Sequence, residues 1–344
     1  MGSRRFSRGT LYAAALTLGV ASAELRARVP AELALSTGHA MNVVSPLEVA
    51  RASAPEVQPL HEPSPKARSA PLAELSTSYA HGRIIEGGTP RRLILFSFDD
   101  GPDRRTTPLL LDRLDAVGIK AVFFLTAGRI ASRTPAEREQ AELAREIVAR
   151  GHLVGSHTVD HLQLPLLTDA SAIAQVDGAE QIFQRVLGFR PSLIRPPGGA
   201  RSPRIDTLLA ERGYTTVLWN LGAGDFQVKT AGEVLETFRR VLERREREHA
   251  EHGGIVLLHD TYAWSVDAFQ LIYAELWARN CKLLEQGEEL YDIVNDPSFF
   301  FEPREGAAPG TLATPAQLPQ AVFEERQARL RSETAQRCSS TDGF

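Results

Sequence analysis

The stretch LILFSFDDGPDRR at residues 93–105 sets two aspartates, Asp99 and Asp100, side by side at the end of an apolar run. Adjacent carboxylates repel unless a cation holds them. Neighbours on an extended strand point to opposite sides, so the two acids can do different work. Gly101 and Pro102 then turn the chain sharply and leave both at an open edge. Further along, HTVDH places His157 and His161 four residues apart. On one helical turn both rings would share a face and grip one ion. Two imidazole nitrogens and one carboxylate oxygen make an open metal site, with positions left for water and substrate. The other aspartate is then free to take a proton from an activated water. Arg195 can keep that aspartate ionised through charge-assisted hydrogen bonds. His259 can give a proton to a leaving group, with Asp225 holding its imidazole in one tautomer and favouring the charged form. Metal, base, acid and two tuning charges together make a hydrolase.

These groups need elements that bring them together. Strand-like apolar runs occur at 92–98, 121–127, 151–156, 192–197, 215–220 and 253–260. Helix-like stretches lie at 106–117, 137–150, 168–187, 203–212, 231–248 and 266–279. Strands alternating with helices pair in parallel, because each crossover returns across the sheet. The expected fold is α/β, a distorted or incomplete (β/α) barrel with parallel strands, and a doubly wound open sheet is the alternative. In both, chemistry collects where strands end and loops begin. Asp99 and Asp100 end the first strand, His157 and His161 follow the third, Arg195 ends the fourth, Asp225 follows the fifth, and His259 with Asp260 ends the sixth. Parallel strands therefore predict one shared rim.

Composition sets the remaining bounds. With 43% hydrophobic residues and a net charge of -4, the chain can bury a sizeable core and has no basic surface for nucleic acid. Arg4, Arg5 and Arg8, the apolar LYAAALTLGVASA and the small residues Ala21 and Ala23 have the layout of an export signal over 1–23. That layout implies a secreted or cell-envelope protein, and an uncleaved short anchor is the alternative. Residues 24–88 read as a Pro/Ala-rich spacer, 89–300 as the catalytic domain and 301–344 as a flexible tail with one short helix in AVFEERQARLRSETAQRC. Cys281 and Cys338 do not form a disulfide framework, so no required bridge is expected. His39, His61 and His81 read as solvated, His152 as part of a turn, and Asp260 as a cap for the next helix. Trp264 and Trp277 read as packing residues rather than sugar platforms, and Trp264, close after His259, is the better candidate of the two for a sugar contact. No G-x-S-x-G elbow and no Walker loop occur.

Five segments taken in order resemble the polysaccharide deacetylases of the NodB-homology type, carbohydrate esterase family four. They are SFDDGP (97–102), HTVDH (157–161), RPPGG (195–199), WNLGAGDF (219–226) and LLHD (257–260), within a region of about 90–295. The resemblance implies Asp99 as base, Asp100, His157 and His161 as ligands of a divalent metal, and His259 as acid. It implies Arg195 and Asp225 as their tuning partners, and a distorted β/α barrel as the fold. Zinc leads among the metals this ligand set suits, with cobalt, nickel and iron also suited. Substrate-binding positions by resemblance are Pro197, Gly198, Phe226 and Leu257. Gly198 stands where the family has tyrosine, and its backbone N–H would face an oxyanion. Phe226 replaces a tryptophan wall, and Leu257 would line the acetyl pocket. The implied substrate is an acetylated polysaccharide such as peptidoglycan or a chitin-like glycan, losing N-acetyl or O-acetyl. No stable protein partner is implied. Two rivals are a catalytically impaired carbohydrate-binding protein on the same fold and a metal hydrolase of another amide or ester.

Overall fold

The computed structural model describes residues 83–302, 314–315 and 318–339. The expected signal, the spacer up to residue 82, and His39, His61 and His81 lie outside the described residues. No helix among the described residues is long and apolar enough to cross a membrane.

The strands are β1 (Ile84–Ile85), β2 (Leu93–Asp99), β3 (Val122–Leu125), β4 (Leu153–Ser156), β5 (Leu193–Ile194), β6 (Thr215–Val217), β7 (Leu221–Gly222), β8 (Gly254–His259) and β9 (Asp292–Ile293). The helices are α1 (Thr107–Ala116), α2 (Pro135–Ala149), α3 (Asp169–Leu187), α4 (Pro203–Glu211), α5 (Ala231–His249), α6 (Ala263–Gln286) and α7 (Gln320–Ser339). These strands form one nine-stranded sheet in the order β1-β6-β5-β4-β3-β2-β8-β7, with β9 beside β2, and Phe301–Glu302 pairs separately with Thr314–Pro315. All of these pairings are parallel. The path ends at β1 and β7 without pairing them, so the sheet is an open half-barrel wrapped by helices. All six expected strands and all six expected helices are present. The additional strands β1, β7 and β9 are two residues each, too short to show a period. The sheet starts at Ile84, ahead of the boundary read at residue 89.

Strand alternation in β2 sends apolar side chains to cores on both faces of the sheet and leaves a polar rim. Ile94, Phe96 and Phe98 of β2 pack into the core beneath the helices. Leu93 and Leu95, on the opposite face, join the core inside the half-barrel with Val122, Phe124 and Ile255. Each such side chain, fully buried, contributes about 1.5–3 kcal/mol. Thr134, Thr168, Ser202 and Thr230 cap α2, α3, α4 and α5 by accepting backbone N–H bonds, at roughly 1 kcal/mol apiece. Helix α6 outruns its expected limits because nothing in its later turns breaks it before Gly287, whose φ of 74 ends it.

The C-terminal stretch, read as a flexible tail with one short helix, carries the 20-residue α7. Gln327 on α7 accepts from Leu290 N–H (2.9 Å) and donates to the Leu290 carbonyl (3.0 Å), completing the backbone bonding beside β9. Arg326 pairs with the buried Asp292. Cys281 of α6 and Cys338 of α7 are bonded, with Cα atoms 5.9 Å apart. This goes against the expectation of no required bridge: docking of α7 on α6 juxtaposes positions 57 residues apart in sequence. Closing a loop of that length removes up to about 4 kcal/mol of unfolded-chain entropy. Cys281→Ser is therefore expected to lower unfolding free energy by about 2–4 kcal/mol in denaturant titration. An unchanged midpoint would show the bridge to be without structural weight.

Candidate metal and acid–base site

The register of the sheet assembles the rim. The inward face of β2 reads Leu93, Leu95, Ser97, Asp99, apolar at the bottom and polar at the top. Asp99 lies opposite His259 of β8 and opposite Phe124 of β3. Phe124 lies opposite Gly155 of β4, and His157 follows two residues later on the same face. The two-residue period thus aims Asp99, His157 and His259 into one bowl.

Asp100 leaves the strand direction with a φ of 73 before the cis Gly101–Pro102 bond. His157 and His161 are not on a helical turn, which corrects that expectation. They bracket a loop in which Thr158 (φ 66) and His161 (φ 56) adopt left-handed backbone. That loop lets His157 stay on the strand face while His161 folds back, and the two ring centroids come within 4.8 Å. Left-handed backbone at a non-glycine residue costs energy and persists where the surroundings demand it.

Asp100 Oδ1 lies 3.4 Å from His157 Nε2 and 3.2 Å from His161 Nε2. The donor atoms of these three residues all fall within 4.8 Å of one another. His157 Nδ1 is 2.6 Å from the Arg195 carbonyl, an acceptor only, so Nδ1 carries the proton and Nε2 presents a lone pair. Asp100 Oδ1 is buried with no hydrogen-bond partner. Burial works against ionisation of Asp100, but the neighbouring His157, with His259 and His161, holds its carboxyl down to about 2. Burial pushes His161 down, toward the neutral ligating form. Converging lone pairs around an orphaned carboxylate oxygen are what a divalent cation resolves, so the residues fit one.

Asp99 sits behind this cluster, 3.8 Å from His157 Nε2. Arg195, with no solvent exposure, donates from Nη1 to Asp99 Oδ1 at 2.7 Å and to Ser97 Oγ at 2.9 Å. Its Nε and Nη2 reach the carbonyls of Val217 (2.9 Å) and Leu218 (3.1 Å). The guanidinium is sandwiched near Phe124, 4.1 Å from the ring centre, and Trp219, at 5.4 Å.

On the other side, Asp225 is fully buried and its Oδ1 is 2.9 Å from His259 Nδ1. Asp225 Oδ2 accepts from His259 N–H (2.7 Å) and Ser265 Oγ (2.6 Å), and its carbonyl accepts from Trp264 Nε1 (2.7 Å). Burial opposes charge on His259, but the bond and charge of Asp225, then Asp99 and Asp100, raise it to about 9. His259 Nε2 is left facing Asp100 Oδ2 at 3.9 Å.

The other expected positions distribute as follows. Leu257 is buried two residues before His259, on the same inward face. Phe226 is 59% exposed and meets the His259 ring edge-on at 6.0 Å. Pro197 is buried and Gly198 is exposed with a φ of 64. A side chain at Gly198 would meet only Gln163, at 3.5 Å. His152 closes the turn that leads into β4, as expected, and is buried there, accepting from Ala121 N–H, and burial lowers it to about 3. Asp260 does not cap α6, which begins after Tyr262 without a capping side chain. Instead it turns under the Asp99–Pro102 loop, accepting from Thr107 Oγ1 at 2.5 Å, and burial raises its carboxyl to about 7. A β-carbon on Gly101 would fall 2.2 Å from that buried carboxylate. Gly101→Ala is expected to cost about 1–3 kcal/mol in thermal or denaturant unfolding; wild-type stability would refute this close approach. Ser97, Ser265 and Trp219 have no role in the sequence reading, and the bond of Trp264 to Asp225 lies outside it as well. Ser97 alone left a signal, two residues before Asp99 on one strand face.

A family model described as "Polysaccharide deacetylase" matches residues 86–217. A peptidoglycan-N-acetylglucosamine deacetylase of Bacillus cereus is 31% identical over 169 residues, covering 49% of this chain and 73% of that protein. Chitin deacetylase 1 of Cryptococcus neoformans is 31% identical over 185 residues, covering 50% of this chain and 37% of that protein. The crystal structure of the Bc1960 peptidoglycan N-acetylglucosamine deacetylase superposes with a TM-score of 0.51 at 25% identity, covering 62% of this chain and 91% of that one. The chain spans 37% to 66% of the length of several curated relatives it matches.

Proposed function

The chain belongs to the polysaccharide deacetylase family, and on that footing we propose that it is a metal-dependent hydrolase removing N-acetyl groups from an acetylated sugar polymer of the peptidoglycan or chitin type. One observation carries the reading: a partnerless carboxylate oxygen and two imidazoles converge between an arginine-held aspartate and an aspartate-held histidine.

Asp100, His157 and His161 would hold the cation, zinc first among those that suit this set. Such an ion supplies Lewis acidity and makes a nearby water more acidic. Asp99, its charge balanced by Arg195, takes a proton from the attacking water as general base. The backbone N–H of Gly198 offers a donor to the oxygen on which charge develops. His259, oriented through Nδ1 by Asp225, gives a proton to the departing nitrogen. Water adds to the acyl carbon, the C–N bond breaks, and acetate and a free amine leave. Leu257 faces the acetyl methyl and Phe226 walls the sugar. The protein acts outside the cytosol: the 1–23 segment has an export layout, and a Cys281–Cys338 bond suits an oxidising compartment.

The test is acetate release from N-acetylglucosamine oligomers and from peptidoglycan. Chelation is expected to abolish release and added zinc to restore it. Release indifferent to chelator would refute the metal-dependent reading, and glycan binding without turnover across several metals would favour a binding protein.

The acid role of His259 sets a pH dependence. A group raised to about 9 is protonated at neutral pH, so the rate is expected to fall as pH rises through its folded value. Asp225→Asn removes the hydrogen-bonded charge that raises it, so the basic limb moves down by about one pH unit or more. A bound cation shifts both profiles the same way, so the difference between wild type and variant is the readout. Coincident basic limbs would exclude Asp225 as the tuning charge.

A further inference from the structure

A cavity of about 680 Å³ opens beside Asp100 and His161 and runs toward Arg129, Asp160 and Tyr262. That volume is typical of ligand clefts, which run from about 300 to 1,000 Å³. The loops after β3, β4 and β8 all contribute to it, so it extends the metal cluster sideways along the rim. Among its lining residues Tyr262 carries the largest aromatic ring. Trp264, read from the sequence as the better sugar contact, lies behind that ring: the two stack at 4.9 Å with planes 6° apart. Trp264 is itself pinned by its Nε1 bond to the Asp225 carbonyl. Tyr262 also leans on His259, with centroids 5.6 Å apart.

We propose that Tyr262 is a stacking platform for the sugar unit next to the one that loses its acetyl group, which makes the substrate a glycan chain rather than a free monosaccharide. This rests on the deacetylase reading above. The C–H face of a pyranose ring packs against a flat aromatic surface, and a ring clamped from behind loses little freedom on binding. Arg129 and Asp160 also line the cavity, with part of their bonding capacity taken by Asp103 and Gln175. Because Trp264 joins the platform to Asp225, a sugar seated on Tyr262 lies in register with His259. Binding energy gained there holds ground state and transition state alike.

The test is calorimetric binding of a pentamer of N-acetylglucosamine to the full chain and to Tyr262→Phe, Tyr262→Ala and Tyr262→Leu. Phenylalanine keeps the flat face and is expected to bind within twofold of wild type. Alanine and leucine are expected to weaken binding tenfold or more, and leucine keeps the packing on Trp264 should alanine disturb the fold. In turnover the loss falls on KM and leaves kcat less affected, unlike a variant of the acid or base. Wild-type affinity in Tyr262→Leu, or loss in Tyr262→Phe equal to that in Tyr262→Ala, would overturn the platform while leaving the deacetylase reading intact. Failure of the wild type to bind or to release acetate from any oligomer would overturn both.

Discussion

Asp100→Ala and His157→Ala are expected to abolish metal retention and lower acetate release by at least about a thousandfold, whereas Asp99→Asn loses turnover to a similar degree with the metal kept. The contrast follows from geometry. Asp100 Oδ1 has no partner except the two imidazole nitrogens 3.2 and 3.4 Å away, so removing either side leaves too few donors for an ion. Asp99 is turned toward Arg195 at 2.7 Å and borders the cluster through His157 at 3.8 Å. Asparagine there can still accept from Arg195 but cannot take a proton. Metal content by elemental analysis, read beside acetate release, separates the two aspartates. Stoichiometric zinc in Asp100→Ala, or more than a tenth of wild-type activity in Asp99→Asn, would reverse their assigned roles.

The second large effect is on stability. Arg195→Met is expected to cost about 3–5 kcal/mol in denaturant unfolding, beyond eliminating activity. Arg195 is completely buried and Asp99 nearly so, so the variant leaves an uncompensated carboxylate inside the half-barrel. It also removes the donor for Ser97 Oγ and for the carbonyls of Val217 and Leu218. Lysine is not a conservative replacement, because a single ammonium cannot span four acceptors set around a planar fork. The double variant Asp99→Asn with Arg195→Met should recover part of the loss, since removing both partners spares the buried charge. A loss below about 1 kcal/mol in Arg195→Met would show that water or another cation reaches Asp99.

Much of the fold and of the rim is legible in the sequence. Short unbroken apolar runs, with helix-like stretches between them, mark six strands and six helices, and their alternation dictates parallel pairing. Once strands run parallel, residues at their C-terminal ends must share a rim. Asp99, Asp100, His157, His161, Arg195, Asp225 and His259 therefore fall together from their positions alone. Local chemistry in the sequence was enough for this because each group sits within a few residues of a strand end.

What escaped the sequence depends on contacts between distant segments. A four-residue spacing between histidines is met equally by a helical turn and by a loop with left-handed residues. The loop was selected by tertiary demands, since His157 must keep the inward face of β4 while its Nδ1 meets the Arg195 carbonyl. Asp260 reads as a cap because aspartates often cap; only the approach of α1 and the Asp99–Pro102 loop gives it Thr107 and Gly101 as neighbours. The same holds for Ser265 and Trp264, whose hydrogen bonds to Asp225 cross some forty positions. The Cys281–Cys338 bond likewise exists only because α7 packs on α6. Local periodicity and strand polarity determine which residues reach the rim; which atoms then face one another is decided by side chains from separate elements, and no stretch of sequence contains both partners.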